Sequence, residues 1–71
     1  MKTIRELREA RGWTQLDLAY KLGVTPATVY NWERGKYEPA ASKLRLIAKV
    51  FEVSMDNIAL PGEAHEGRVA A

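Results

Sequence analysis

The sequence predicts an all-α domain, a compact bundle of five short helices. Gly12, Gly23, Gly35 and Pro61-Gly62 cut the chain into short pieces. Each piece carries apolar residues at helical spacing, and none alternates strictly for long enough to suggest a strand. The chain is 71 residues long, with no cysteine and one histidine. Disulfides, Cys-rich zinc sites and a cysteine nucleophile are therefore excluded, and so small a core needs tidy helix packing, a partner subunit or both. At 46% hydrophobic and 28% charged residues, the composition is that of a soluble globular domain rather than a disordered tail.

Thr3 is the expected cap of helix 1, with Glu6 three residues on in a capping-box pattern; Ile4 and Leu7 share its inner face and Gly12 ends it in a left-handed turn. Helix 2 repeats the pattern with Thr14 and Asp17. Leu18, Ala19 and Leu22 face inward, Asp17 and Lys21 are placed to pair at i, i+4, and Gly23 is the stop. Thr25-Pro26 opens helix 3, because proline lacks the N–H that would go unpaired in a first turn; the helix runs to about Arg34, before Gly35. Pro39 breaks the connection. Helix 4 covers about Ala41–Phe51, with Ala41, Leu44, Ala48 and Phe51 at helical spacing. Ser54 is the expected cap of a short helix 5, roughly Met55–Leu60, and residues 62–71 have no apolar periodicity and read as a flexible tail after a domain of residues 1–61. Helices this short must share one core. The expected members are Ile4, Leu7, Leu18, Ala19, Leu22, Val24, Val29, Trp32, Leu44, Ile47, Ala48, Phe51 and Ile58.

The charge is segregated. Residues 1–49 hold ten Lys/Arg against five Asp/Glu, whereas residues 50–71 hold one against four. A basic region set apart from an acidic end suits a polyanion partner, although charge alone reads equally well as scatter. No apolar run approaches the ~20 residues of a membrane span, and Met1–Glu6 lacks the apolar stretch of a signal peptide.

Thr14 to Glu33 is the informative stretch. Two helices meet at a short turn containing Gly23. A close crossing there needs a small contact residue and a turn residue that tolerates positive φ, and Ala19 and Gly23 supply them four residues apart. Val24 and Val29 plug the angle. These are the requirements of a helix-turn-helix unit. At 100° per residue, Trp32, Glu33 and Thr25 fall on the Val29 side of helix 3, while Ala27 and Asn31 lie about 160–200° away with Arg34 nearby and Tyr30 and Thr28 on the flanks. That outer face, by itself, reads more readily as a plain solvated surface than as a reading surface.

Gln15, Ala19, Gly23-Val24-Thr25, Val29, Trp32-Glu33, Gly35 and Pro39 stand in an ordered set, with Arg8 and Gly12 upstream and Leu44, Ile47-Ala48 and Phe51-Glu52-Val53-Ser54 downstream. In this set the chain resembles the phage repressor/Cro-like helix-turn-helix family, of the xenobiotic-response-element type, over about residues 3–60. The resemblance implies a lambda-repressor-like bundle and a sequence-specific double-stranded DNA-binding transcriptional regulator, a repressor acting by operator occupancy, with helix 3 (Pro26 to Arg34) in the major groove. It makes Pro26, Ala27, Thr28, Tyr30, Asn31 and Arg34 the base-reading candidates, since Asn can grip adenine, Arg guanine, and a small methyl the thymine methyl. Arg34, near the helix end, is also within reach of phosphate. Gln15 at the first turn of helix 2, Thr25, Lys36, Tyr37 and Lys43 are the phosphate-binding candidates, with Lys2 a lesser one. Related readings are an antitoxin or restriction-controller type autoregulator, and a protein-binding adaptor built on the same fold. The expected location is cytoplasmic, of bacterial or phage type, at the nucleoid.

Arg8 lies one turn after Ile4 on the inner side of helix 1, and Glu33 close to the buried face of helix 3; members of the family carry Arg and Glu at these places, so a partly buried ion pair is expected. One recognition helix makes few base contacts, which points to a homodimer at least on DNA, reading a palindromic operator. Met55 and Leu60 are the candidate dimer contacts, with Ile58 assigned to the core. Trp32 is expected inside and Trp13 over the helix 1–2 joint. His65, Ser42 and Ser54 form no triad, and Glu6, Glu9 and Asp17 are read as exposed helix charges. No catalytic constellation, cofactor or metal is expected.

Overall fold

The computed structural model describes residues 1–61. Four α-helices form the body: α1 (Ile4–Ala10), α2 (Gln15–Leu22), α3 (Pro26–Glu33) and α4 (Ala41–Phe51). A 3-10 turn (Met55–Asn57) follows, and two short strands, β1 (Lys2–Thr3) and β2 (Ile58–Ala59), pair in parallel with Lys2 opposite Ile58 and Thr3 opposite Ala59.

The starts of the first three helices follow from their side chains. Thr3 and Glu6 close a reciprocal capping box on α1, as do Thr14 and Asp17 on α2. Thr25 Oγ1 accepts from the Thr28 N–H, with Pro26 in the first turn. The four helices end alike. The Trp13, Val24, Lys36 and Val53 N–H groups reach back to the carbonyls of Arg8, Ala19, Asn31 and Ala48, and the residue before each donor also bonds back to the last turn. This arrangement needs a left-handed residue. Gly12, Gly23 and Gly35 fill it in three helices, and Glu52 (φ 58°) fills it in the fourth. At Gly35 a side chain would also crowd its surroundings, because a Cβ there would lie 3.0 Å from Pro61 Cβ, which would have to give way.

The core is Ile4, Leu18, Ala19, Leu22, Val29, Trp32, Ile47, Ala48, Phe51, Ile58 and Leu60, with Leu7, Val24 and Leu44 packed half-buried against it. Trp13 does more than cover the α1–α2 joint: its ring stacks on Phe51 at 5.4 Å, and Arg11 donates to the Phe51 carbonyl at 2.9 Å. The first joint is thereby fastened to the C-terminal end of α4, where a cation also complements the helix dipole.

Several expectations are corrected. There is no fifth α-helix: Ser54 caps only the 3-10 turn, and the chain then extends to pair with Lys2–Thr3. The described residues therefore do contain strand pairing. Leu60 is not an exposed dimer contact but a core residue, 7% exposed. In an extended chain, residues two apart point to the same side, so Leu60 follows Ile58 inward. Asp17 and Lys21 form no close pair. The Asp17 carboxylate returns to the Thr14 N–H at 2.8 Å, and Lys21 Nζ sits 4.6 Å above the Trp13 ring. The expected tail of residues 62–71, including His65, lies outside the described residues.

Candidate nucleic-acid interface

The three-residue turn Gly23-Val24-Thr25 joins α2 to α3, and Gly23 takes φ 71°. Ala19 is buried at the crossing, where its single methyl lets the helices approach, and Val29 and Trp32 bury the opposing side of α3. The other side is turned outward. Pro26, Ala27, Tyr30 and Arg34 are exposed; Thr28 and Asn31 are half-buried. Tyr30 is 51% exposed, and the Arg34 guanidinium lies 5.6 Å from its ring centroid, a stacking that restrains both side chains. Five of the six base-reading candidates therefore lie on α3, Arg34 is its C-cap residue, and none is fully buried.

The phosphate candidates are more dispersed. Thr25, Lys36 and Tyr37 are exposed just before and just after α3. Gln15 begins α2. The cap takes the Asp17 N–H and the first helical bond takes that of Leu18, so the Gln15 and Leu16 N–H groups point out of the helix start toward any anion. The Gln15 side chain donates to Glu33 Oε1 at 3.1 Å. Lys43 Nζ donates to the Leu22 carbonyl at 3.3 Å, where it closes the end of α2; a phosphate would compete for it.

Beneath this surface lies the expected ion pair. Arg8 Nε donates to Glu33 Oε2 at 2.7 Å and Arg8 Nη2 to Glu33 Oε1 at 3.1 Å, while Nη1 donates to the Trp13 carbonyl at 2.8 Å. The two side chains are only 11% and 6% exposed. The hydrogen bonds from Arg8 to Glu33 raise the guanidinium's pKa above its ordinary value, against the opposing effect of burial. Between α1 and α3 the pair floors a polar cleft of about 260 Å³, walled by Arg5, Gln15, Tyr30 and Arg34. Nothing in the sequence local to α1 says which helix Arg5 faces, so its place in this cleft follows only from the packing. A larger hollow of about 540 Å³ along α2 is lined by Trp13, Leu16, Asp17, Tyr20 and Lys21. Its walls are mainly aromatic and aliphatic, so the smaller cleft is the one suited to a polyanion. Among the described residues no cluster of His, Asp or Glu could hold a metal, and no helix is long and apolar enough to cross a membrane.

Two helices crossed at a tight turn, with the second offering an amide, a phenol and a guanidinium outward, define a helix-turn-helix DNA-binding domain. The family model for the helix-turn-helix matches residues 4–58. The chain belongs to this family, the Cro/C1 type of DNA-binding transcriptional regulators. It is 40% identical over 55 residues to an uncharacterized HTH-type transcriptional regulator of Archaeoglobus fulgidus, covering 78% of this chain and 79% of that protein. It is equally identical over 55 residues to the uncharacterized HTH-type transcriptional regulator MJ0272 of Methanocaldococcus jannaschii, covering 78% and 83%. It is 37% identical over 60 residues to the HTH-type transcriptional activator BcrR of Enterococcus faecalis, covering 84% of this chain but 29% of that protein. No solved structure matches. These relatives are transcriptional regulators, a non-enzymatic class.

Proposed function

We propose that the protein is a sequence-specific double-stranded DNA-binding repressor that acts by occupying an operator. One observation carries this reading: the outward face of α3 offers Ala27, Tyr30, Asn31 and Arg34 around a rigid helix whose opposite side, Val29 and Trp32, is locked in the core. A helix held this way presents its side chains to base edges at low entropic cost. In this reading α3 enters the major groove; Pro26, Ala27, Thr28, Tyr30 and Asn31 face bases, and Arg34 faces a base or a phosphate. Gln15, Thr25, Lys36 and Tyr37 hold the flanking backbone, with Lys43 the member that must first give up a protein contact. The active unit is a homodimer on a palindromic site, whose half-sites lie about one turn, roughly 34 Å, apart. Met55, 37% exposed, is the residue retained from the expected dimer contacts.

Selection from a random duplex pool, followed by salt titration on selected and random DNA, tests the proposal. A regulator of this kind enriches one motif and keeps about 10³-fold or more preference for it. Weak binding without enrichment would instead favour the protein-binding adaptor.

A further inference from the structure

The outward face of α2 carries an apolar stripe with one acid and one base beside it. At 100° per residue, the exposed Leu16, Tyr20, Asp17 and Lys21 follow one another around a single side of the helix, away from the buried Leu18, Ala19 and Leu22. Leu16 is 64% and Tyr20 88% exposed, and with Trp13 they line the hollow of about 540 Å³. Contiguous apolar side chains, unlike scattered ones, mark a contact surface. The two charges are steadied but not paired with each other. Asp17 is fixed by the Thr14 cap, and that backbone hydrogen bond, first of all, lowers its pKa and keeps it ionised. Lys21 Nζ rests over the Trp13 ring and, among the described residues, makes no salt bridge. Arg11 also stands over Trp13, at 5.4 Å, but donates to the Phe51 carbonyl.

We propose that this face binds the same face of a second copy of the chain, with the two α2 helices antiparallel about a dyad. The order of the charges argues for it. Asp17 and Lys21 lie on the same edge of the face, four residues apart and equally far from the level of Ala19. A dyad crossing at that level reverses the helix direction and keeps edge against edge. It sets Asp17 of each copy opposite Lys21 of the other, so the pair forms twice, as a self-complementary contact requires. A parallel pairing would bring like charges to the same level. Tyr20, next to the dyad, meets its own counterpart, and Leu16 packs beside it. Met55 does not line this hollow. The contact is therefore separate from the one given to Met55, and a copy that uses both joins two neighbours.

The test uses the whole chain. It has no cysteine, so Tyr20→Cys, beside the dyad, places thiol against thiol within disulfide reach. Under mild oxidation this variant should cross-link about tenfold faster than Glu9→Cys, an exposed site on α1 outside the hollow. Adding Lys21→Glu should slow the cross-linking by about tenfold, because two attractive pairs become two repulsive ones. Sedimentation equilibrium of cysteine-free chains gives a second reading. The parent should self-associate as concentration rises, Lys21→Glu and Asp17→Lys should each associate about tenfold more weakly, and an equimolar mixture of the two should recover the parent's association, since each supplies the charge the other lacks. Asp17→Lys gives up a helix cap, so thermal melting checks its fold; if it does not fold, the cross-linking decides. A parent that stays monomeric at every concentration, Tyr20→Cys no faster than Glu9→Cys, or a folded mixture without recovery overturns the proposal. Adding Met55→Glu should leave the Tyr20→Cys cross-linking unchanged; its loss would assign the association to Met55 and overturn the α2 contact. Both readings are taken without DNA, so they stand or fall apart from the DNA-binding reading.

Discussion

Replacing Glu33 with Ala should remove a large share of the protein's stability. Arg8 would keep only its bond to the Trp13 carbonyl, with its charge buried at 11% exposure. The guanidinium cannot shed its proton to escape, because arginine stays protonated in proteins even without a carboxylate partner. Breaking one side of a buried pair costs about 3–5 kcal/mol. The whole domain, at about 0.05–0.15 kcal/mol per residue over 71 residues, holds roughly 4–11 kcal/mol, so Glu33→Ala removes from roughly a quarter of it to all of it. The double variant Arg8→Met/Glu33→Leu removes both charges and should return to the parent's stability or exceed it by about 1–4 kcal/mol. Urea denaturation followed by far-ultraviolet circular dichroism measures all of these. A loss below about 1 kcal/mol in Glu33→Ala would place the pair with exposed surface pairs and refute the argument. The double variant also separates fold from binding: it removes the acceptor that Gln15 Nε2 uses, so it should bind duplex more weakly even where it is more stable.

Asn31→Ala should cost about 1–3 kcal/mol on the selected site and relax preference at one base pair, whereas Gln15→Ala should weaken selected and random duplex alike; matched and mismatched duplex titrations distinguish them. The Glu6 and Asp17 carboxylates accept from the backbone N–H groups of Thr3 and Thr14, and those hydrogen bonds first of all lower their pKa values from the ordinary 4.5 and 3.8. A lowered folded-state pKa gives stability that is complete above the ordinary value and lost as pH falls through the lowered one. Glu6→Gln with Asp17→Asn should therefore flatten the acid limb of a stability–pH profile below about pH 4.5 and leave the neutral region's slope unchanged. Glu52→Gly should stabilise by about 0.5–1 kcal/mol, the relief of a left-handed residue less the extra entropy of glycine, read as a rise in the denaturation midpoint. Met55→Glu should keep the fold and reduce cooperative binding to a palindrome; undiminished cooperativity by gel shift and sedimentation would remove Met55 from the dimer contact.

Helix ends were legible because their signals are local. Thr3 with Glu6, Thr14 with Asp17 and Thr25 with Pro26 act within one turn of chain, and the structure shows all three caps. The fourth C-terminus was less legible, since Glu52 occupies a left-handed position that composition assigns to glycine. There the Val53 and Glu52 bonds to Ala48 and Lys49, together with burial of Phe51, outweigh the local strain. The segment from Met55 to Leu60 went wrong for a non-local reason. Its conformation is set by backbone pairing to Lys2–Thr3, more than 50 residues away, and no pattern within six residues encodes a distant partner. Its side-chain period was nevertheless present: Ile58 and Leu60, two apart and both buried, are a strand's signature, which a helical reading splits between core and surface.

The candidate interface divides along the same line. The outward face of α3 is an angular property of one helix, so projection from Val29 was enough to find Ala27, Tyr30 and Arg34. The Arg8–Glu33 pair was within reach because each partner lies beside a buried residue of its own helix, Ile4 and Val29. The Arg5–Arg34 cleft had no such handle. Arg5 has an i, i+4 partner in Glu9, which by itself explains an exposed arginine on a short helix. Only the packing of α1 against α3 brings Arg5 and Arg34 to the same cleft. One salt bridge thus acts at two levels: it joins α3 to α1, and it floors the cleft of about 260 Å³ that Arg5 and Arg34 line. Charges that reach across helices become visible only after the helices are placed. The outward face of a single helix is visible in the sequence itself.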